Sequence, residues 1–359
     1  MKSPSLFDTL DFAHGPAMKN RLMLAPLTNT QSHPDGRLSE DEFRWLTMRA
    51  EGGFGLTMTC ASHVQKVGQG FPGQLGVFSD DHLEGLTRLA GAIRAAGSVS
   101  SIQLHHAGNR SPAELVGQPV APSDDPESGA RGLSTGEVET LIEDFILAAE
   151  RAEKAGFDGV EIHGAHGYIL TQFLSTEYNR RDDRFGGSLE NRARPMFEII
   201  AGVRARCRPD FQVGLRLSPE RFGLDLQEVR QVAQQAMVKG SIDYLDMSVW
   251  DVDKEPEDEA FRGRTLMSYF TDLERGAARL GVAGKVRTGT RALKAIEDGA
   301  DFVSIGTAGI LHHDFPRRVQ ENPDFEPVTP PVTRAYLESE GIGPAFIEYV
   351  KGRIPIADA

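Results

Sequence analysis

The sequence predicts an α/β protein built as a (β/α)8 TIM barrel, a single domain with a long loop after the third strand. Across 359 residues, eight short apolar runs alternate with longer segments of helical periodicity. Most of these runs are continuously apolar, as in parallel strands buried on both faces. A doubly wound sheet is the alternative, but APLTNTQ follows the first run where that fold usually carries a glycine fingerprint.

The predicted strands are the apolar runs bounded by polar or glycine-containing turns. They cover residues 21–25, 56–60, 99–104, 159–163, 212–217, 243–249, 284–288 and 301–306. Eight strands over this chain length fit one closed barrel.

Five helices are predicted between these strands from i, i+3, i+4 apolar spacing and from their end signals. They cover residues 79–97, 134–156, 188–207, 226–240 and 290–299. Ser79 is a candidate N-cap, and Gly156, Gly240 and Gly299 are candidate C-terminal stops.

The chain is expected to form one domain over residues 1–359, with the barrel core at about 20–322 and a C-terminal segment at 323–359. Residues 105–135 are polar and rich in Gly, Pro and Ser. They follow the third strand, so we expect a functional loop on the catalytic face. In the C-terminal segment, PAFIEYVKGRIPI predicts a short helix that packs back on the barrel.

Charge and cysteine content exclude several function classes. The formal net charge is −13 without a basic block, which argues against nucleic acid or an anionic membrane as a partner. Cys60 and Cys207 lie far apart, so a disulfide framework or a zinc ribbon is not expected. No apolar leader or long apolar span is visible, and the expected location is cytoplasmic.

Polar residues at the predicted strand ends mark the expected active site, because this barrel builds its site there. His163, His166 and Tyr168 end the fourth strand, while Gln103 and Arg216 lie on neighbouring strands. Glycines close the seventh and eighth strands, where bare backbone N–H groups can bind phosphate. The pattern indicates a phosphorylated planar cofactor across the barrel mouth.

The two histidines allow other interpretations. HxxH together with His105 and His106 could bind zinc, which would make the protein a zinc-dependent barrel hydrolase. A hydrogen-bonded turn without function is the third interpretation. Barrel metal sites draw ligands from several strands, so no metal is expected.

Several motifs resemble one enzyme family. The run HGAHGYILTQFLSTEYNRRDDRFGGSLENRARPMFEII (163–200) resembles the signature of the old yellow enzyme family of FMN-dependent ene-reductases. APLTNT, QLHHAGNR, LRLSP and the terminal EGIGPAFIEYV are similar to further family motifs in the same order. The resemblance implies a TIM barrel that holds FMN non-covalently and takes hydride from NADPH or NADH.

The resemblance also implies catalytic roles. His163 and His166 match the family's carbonyl-binding pair, and Tyr168 matches its proton donor. The substrate would be a small activated alkene, often an enone: flavin N5 gives hydride to the β-carbon while Tyr168 protonates the α-carbon. A related FMN enzyme acting on amines or nitro compounds, and a non-enzymatic flavin carrier, are the alternatives. A homo-oligomer is compatible with the family.

The cofactor contacts carried over from the family fall on strand ends. Gln103 and Arg216 match contacts to the flavin pyrimidine edge, and Thr28 matches a contact to the O4 edge. The remaining positions, which would pack on the ring or bind the phosphate, are Pro26, Leu27, Ala61, Gly289, Gly306 and Thr307.

One position departs from the family pattern. The family usually has arginine after the glycine that closes the eighth strand, whereas Thr307 follows Gly306 here. A charge-assisted phosphate contact is lost. We therefore expect weaker FMN retention unless Arg287 or Arg291 compensates.

Overall fold

Eight parallel strands close into a barrel in the computed structural model, which describes residues 5–357. The barrel strands are β1 (Leu22–Leu24), β2 (Leu56–His63), β3 (Val99–His105), β4 (Gly159–Gly164), β5 (Gln212–Leu217), β6 (Tyr244–Ser248), β7 (Arg279–Ala283) and β8 (Phe302–Ile305). Each strand pairs with its neighbours in chain order, and β1 closes the ring on β8 through Met23 and Ser304. The predicted (β/α)8 barrel is confirmed.

The prediction for the seventh strand was wrong. The strand lies at Arg279–Ala283, where Leu280 pairs with Leu245 of β6, and residues 284–288 form the turn that follows it. Lys285 has a φ of +50°, which a strand residue does not adopt. The alternating GKVRT pattern therefore belongs to a loop, while the shorter run LGVA is the buried strand.

Helices connect the strands and cover the barrel. They are α1 (Glu40–Glu51), α2 (Leu83–Ala95), α3 (Ala113–Val116), α4 (Thr135–Lys154), α5 (Ile169–Leu174), α6 (Leu189–Arg206), α7 (Leu226–Val238), α8 (Ser268–Thr271), α9 (Gly289–Glu297), α10 (Thr307–Leu311), α11 (Phe315–Glu321), α12 (Arg334–Ser339) and α13 (Pro344–Val350). The five predicted helices are present as α2, α4, α6, α7 and α9, and α1 is a further long helix between β1 and β2. No helix within residues 5–357 is long and apolar enough to cross a membrane.

The predicted helix ends follow their local signals. Ser79 accepts a hydrogen bond from the N–H of Asp81 ahead of α2, and Ser134 caps α4. Gly156 and Gly240 follow their helices with φ values of +89° and +65°, the left-handed conformation that glycine adopts without strain.

The loop after β3 and the C-terminal segment both have ordered structure. Within residues 105–135, α3 and two short paired strands, Val120–Ala121 and Arg131–Gly132, stiffen the loop. In the C-terminal segment, Phe346 of α13 is fully buried against Trp45 of α1, with ring centroids 4.9 Å apart. The predicted helix at the C-terminus therefore packs back on the barrel.

The barrel interior divides into two layers. The lower layer, near the strand N-termini, is apolar and consists of Met23, Met58, Tyr244 and Phe302. A hairpin in which Leu10 pairs with Met18 joins the same cluster and closes this end. The upper layer, nearer the strand C-termini, is polar and consists of Gln103, Glu161, Arg216 and Asp246. The polar layer lies beneath the strand ends that carry the histidines.

Candidate active site

The end of β4 carries the central group of the site. His163 is the second-last residue of β4, and Tyr168 is the N-cap of α5, with His166 in the connecting turn. The ring centroids of His163 and His166 lie 5.1 Å apart, and those of His163 and Tyr168 lie 5.2 Å apart. The structure therefore gathers the three predicted catalytic residues in one cluster.

The backbone of His166 has an unusual conformation. Its φ is +61°, and the following Gly167 has a φ of +73°. Apart from glycine, this left-handed region is most accessible to Asn, Asp and His. The N–H of His166 donates to Ser218 Oγ at 2.9 Å, which holds the turn in place. This turn directs both histidine rings toward each other.

Hydrogen bonds fix which imidazole nitrogens face the site. The N–H of Ala165 donates to His163 Nδ1 at 3.2 Å, so His163 carries its proton on Nε2. That Nε2 lies 3.3 Å from His166 Nδ1, while His166 Nε2 lies 2.8 Å from Ser248 Oγ. His163 Nε2–H therefore donates to His166 Nδ1, and His166 Nε2–H donates to Ser248 Oγ. If the Ser248 hydroxyl turns to donate to Nε2, the proton of His166 moves to Nδ1, and both ring nitrogens become donors that face one point.

Burial keeps these groups uncharged. Desolvation lowers the pKa of His163 well below its ordinary value, and it lowers the pKa of His166 to about 3 with a further contribution from Arg216. Burial raises the pKa of Tyr168, so its hydroxyl holds its proton at neutral pH. The cluster presents neutral hydrogen-bond donors beside a weak acid.

His105 is a fourth ring of this cluster. It ends β3, and its ring lies 4.4 Å from the ring of Tyr168, edge to face. Its Nδ1 lies 3.1 Å from Gln74 Nε2, and its Nε2 is buried without a hydrogen-bond partner in the described chain. No group of three or more His, Cys, Asp or Glu side chains between residues 5 and 357 is arranged to hold a metal ion.

Strand register arranges the upper layer of the barrel. Gln103 lies opposite Glu161, and Arg216 lies opposite both His163 and Asp246. Gln103 Nε2 donates to Glu161 Oε1 at 2.7 Å. Arg216 Nε lies 3.1 Å from Asp246 Oδ2. Each predicted pyrimidine-edge residue is thus backed by a buried carboxyl group.

Two carboxyl groups and one arginine share this layer. Burial raises the pKa of Glu161 to about 8, and the charge of Asp246 adds to the rise. Burial also raises the pKa of Asp246, but Arg216 opposes this rise directly. We conclude that Asp246 is the ionised partner of Arg216 and that Glu161 holds a proton at neutral pH.

The predicted ring-packing residues line the mouth between β1 and β3. Pro26, Leu27 and Thr28 follow β1 and are half-buried, and the Thr28 hydroxyl makes no hydrogen bond within residues 5–357. Ala61 lies opposite Gln103 in the sheet, and its carbonyl accepts from Gln74 Nε2 at 2.6 Å. Small and half-buried groups therefore surround the polar layer.

The three predicted phosphate residues differ in their surroundings. A Cβ on Gly306 would meet only Leu27, at 3.8 Å, so the space beside this glycine is open. Thr307 begins α10 and is half-buried. A Cβ on Gly289 would instead lie 2.4 Å from Val319 Cγ1, so close helix packing already requires that glycine.

The residues at the mouth fit an FMN ring system. Besides His105 Nε2, the buried Arg216 Nε lacks an aligned hydrogen-bond acceptor within residues 5–357. A pyrimidine edge with carbonyl oxygens supplies acceptors of this kind. The open face of Gly306 leaves room for a ligand at the end of β8.

Sequence reasoning missed the partners of the predicted residues. Ser248 forms a hydrogen bond with His166, and Glu161 accepts one from Gln103. Asp246 forms an ion pair with Arg216. In each pair the two residues come from different strands or strand ends. Ser248 ends β6, so the strand-end rule that identified the other residues also covers it.

Comparison with known proteins identifies the family. Residues 5–325 match the sequence model of the NADH:flavin oxidoreductase / NADH oxidase family. The chain is 36% identical over 332 residues to a probable NADH-dependent flavin oxidoreductase, YqiG, of Bacillus subtilis strain 168, covering 89% of each chain. It is 33% identical over 317 residues to an NADPH dehydrogenase of Bacillus pumilus, covering 86% of this chain and 92% of the relative.

A solved structure agrees with these relatives. The old yellow enzyme homologue from Zymomonas mobilis superposes with a TM-score of 0.78 at 30% identity, covering 90% of this chain and 94% of the other. The zinc-hydrolase alternative is therefore set aside. The chain belongs to the NADH:flavin oxidoreductase / NADH oxidase family, and it is an FMN-dependent NAD(P)H oxidoreductase of the old yellow enzyme type.

Proposed function

We propose that this enzyme reduces the C=C bond of α,β-unsaturated carbonyl compounds. The observation that carries the proposal is the convergence of His163 Nε2 and His166 Nδ1, 3.3 Å apart, beside a protonated Tyr168. Two neutral N–H donors at one point suit a single carbonyl oxygen. A neighbouring hydroxyl suits the carbon that becomes protonated.

The residues have distinct tasks in this proposal. FMN, when bound, supplies from N5 the hydride that it received from NAD(P)H. Negative charge grows on the carbonyl oxygen as the β-carbon accepts hydride, and His163 and His166 stabilise that charge. Loss of one such donor typically costs about 3–4 kcal/mol of transition-state stabilisation. Tyr168 gives its proton to the α-carbon, which completes the addition of H₂ across the double bond.

The FMN site would be formed by the mouth of the barrel. Gln103 and Arg216 would hold the pyrimidine edge, Thr28 the O4 edge, and Gly306 with Thr307 the phosphate. The buried pair of Arg216 and Asp246 supports this assignment, because Asp246 holds a guanidinium whose positive charge at the pyrimidine edge would stabilise reduced flavin.

Tyr168→Phe tests the proposal. We expect flavin reduction by NADPH to persist while reoxidation by cyclohexenone slows by about 10²- to 10⁴-fold, the usual contribution of a general acid. Anaerobic stopped-flow absorbance separates the two half-reactions. Equal loss of both rates, or cyclohexenone reoxidation at the wild-type rate, would contradict the assigned role.

A further inference from the structure

The rim of the site carries an arginine beside the proposed proton donor. Arg110, in the loop after β3, has its guanidinium carbon 4.9 Å from the ring centre of Tyr168 and 5.9 Å from that of Phe222. Its Nη1 donates to the carbonyl oxygen of His166. One end of the guanidinium is thus anchored to the turn that carries the histidines. The side chain is otherwise exposed.

A second arginine acts on Tyr168 from the C-terminal segment. Arg353 follows α13 and lies 4.7 Å from the ring centre of Tyr349. The charges of Arg110 and Arg353 both lower the pKa of Tyr168, against the larger effect of burial, which raises it. Of the two arginines, Arg110 alone stacks on the ring of Tyr168, whereas Arg353 stacks on Tyr349.

Neither arginine is neutralised by the described chain. Between residues 5 and 357, no carboxylate oxygen lies within 4.0 Å of the guanidinium nitrogens of Arg110 or Arg353. By contrast, Arg221 and Lys254, which pack on the neighbouring Trp250 ring, are both paired with Glu257. In a chain with a net charge of −13, acidic partners are abundant. Arg110 therefore carries an uncompensated charge on the side of the rim that faces Tyr168.

We propose that Arg110 binds an anionic group of the molecule that occupies the site, so that the preferred substrates are unsaturated carbonyl compounds bearing a carboxylate. This inference rests on the proposed function and narrows its substrate class. A guanidinium with one nitrogen anchored keeps further N–H donors for a carboxylate. The phosphate groups of NAD(P)H offer the same anionic chemistry, and the experiment distinguishes the two sources.

The test compares β-acetylacrylate, an enone with a carboxylate, and its uncharged methyl ester. We expect the wild-type holoenzyme to prefer the acid in kcat/KM. Arg110→Gln should reduce the acid-to-ester ratio by about 10- to 100-fold, the range for a lost hydrogen bond to a charged group. Arg110→Lys should retain part of the preference, and Arg353→Gln should cause a smaller loss than Arg110→Gln.

A binding measurement supplies a readout that does not depend on turnover. Levulinate and methyl levulinate are the saturated analogues, and their dissociation constants can be measured by calorimetry on the oxidised holoenzyme. We expect levulinate to bind more weakly to Arg110→Gln and at high salt, with methyl levulinate unaffected by either change. Arg221→Gln is the matched control, since Arg221 is already paired on the same rim. It should leave the acid-to-ester ratio unchanged.

The outcomes separate the inference from the function on which it depends. If Arg110→Gln changes neither the acid-to-ester ratio nor the KM for NADPH, the anion site is overturned. If the ratio is unchanged but the KM for NADPH rises, the site exists and holds the nucleotide phosphate, which overturns the substrate class alone. If the wild-type enzyme reduces neither compound while NADPH still reduces its flavin, the proposed function fails.

Discussion

The two layers of the barrel interior differ in chemistry although the same strands form them. The lower layer is a closed apolar cluster, with the ring of Tyr244 packed edge to face on that of Phe302 at 5.6 Å. The upper layer holds Arg216, Glu161 and Asp246. Each of these side chains has one buried polar atom without a hydrogen-bond partner within residues 5–357. The lower layer gains stability from burial, whereas the upper layer retains charges whose desolvation is costly. The lower end of the barrel thus maintains the fold, and the polar upper end supports the proposed FMN site.

The largest effect expected on stability comes from the lower layer. Phe302→Ala should cost about 3–5 kcal/mol of unfolding free energy, because a large cavity would open beneath Tyr244. The dissociation constant of FMN should stay within about twofold of wild type, since the effect is on packing. Urea denaturation of the apoprotein and flavin fluorescence titration measure the two quantities. Weakened FMN binding without a loss of stability would show that the layers do not divide their roles.

A charge change in the upper layer should have a smaller effect on stability and a distinct pH signature. Asp246→Asn removes the ionised partner of Arg216 while keeping a group that can bond Ser304, and we expect a loss of about 1–3 kcal/mol at pH 7. It also removes a charge that raises the pKa of Glu161, so that pKa should fall below about 8.

The sign of the pH effect follows from the raised pKa of Glu161. The folded protein holds this proton up to about pH 8, whereas the unfolded chain releases it near pH 4.5. The contribution of Glu161 to the free energy of unfolding is fully present below about pH 4.5. Above that pH it declines by about 1.4 kcal/mol per pH unit, until the pH exceeds about 8. Denaturation between pH 7 and 8 should show a shallower decline in Asp246→Asn. Asp251→Asn, at a surface ion pair with Lys285, is the control. An identical decline in both variants would contradict the proton on Glu161.

Above the polar layer, Ser248→Ala should alter catalysis with little effect on the fold. His166 Nε2 would lose its partner, and the proton would no longer be held on Nδ1. We expect kcat/KM for cyclohexenone to fall about tenfold, which corresponds to about 1.4 kcal/mol. Ser248→Thr keeps the hydroxyl and should restore most of the activity. Equal loss in both variants would assign Ser248 to packing and not to the tautomer.

The smallest effect is expected at the outer edge of the mouth. Thr307→Arg would restore the charge that the family usually places there, and the FMN dissociation constant should decrease by about fivefold, as for a solvent-screened ion pair. Equilibrium dialysis at low and high salt measures it. Unchanged affinity at low salt would mean that the loss of arginine does not weaken FMN retention.

Local patterns were sufficient for much of the fold and for one part of the site. His163, His166 and Tyr168 were identifiable because they lie within six residues and follow one strand. The pairing of Ser248 with His166 was not, since the two residues lie 82 positions apart in the chain. Such contacts depend on strand register, which a single sequence does not specify. The seventh strand was misplaced for the same reason: its pairing with β6 decides between the alternating GKVRT pattern and the adjacent apolar run LGVA.

The packing of the hairpin at residues 10–18 depends on strands that come much later in the chain. Leu10, Met18 and Phe12 pack on Tyr244 and Phe302, which the ribosome produces more than two hundred residues later. During synthesis this segment has no surface to dock on until β6 and β8 have emerged. We therefore expect the hairpin to dock on the barrel in one of the last folding steps. A C-terminally truncated chain would then expose Leu10, Phe12 and Met18 to chaperones and proteases.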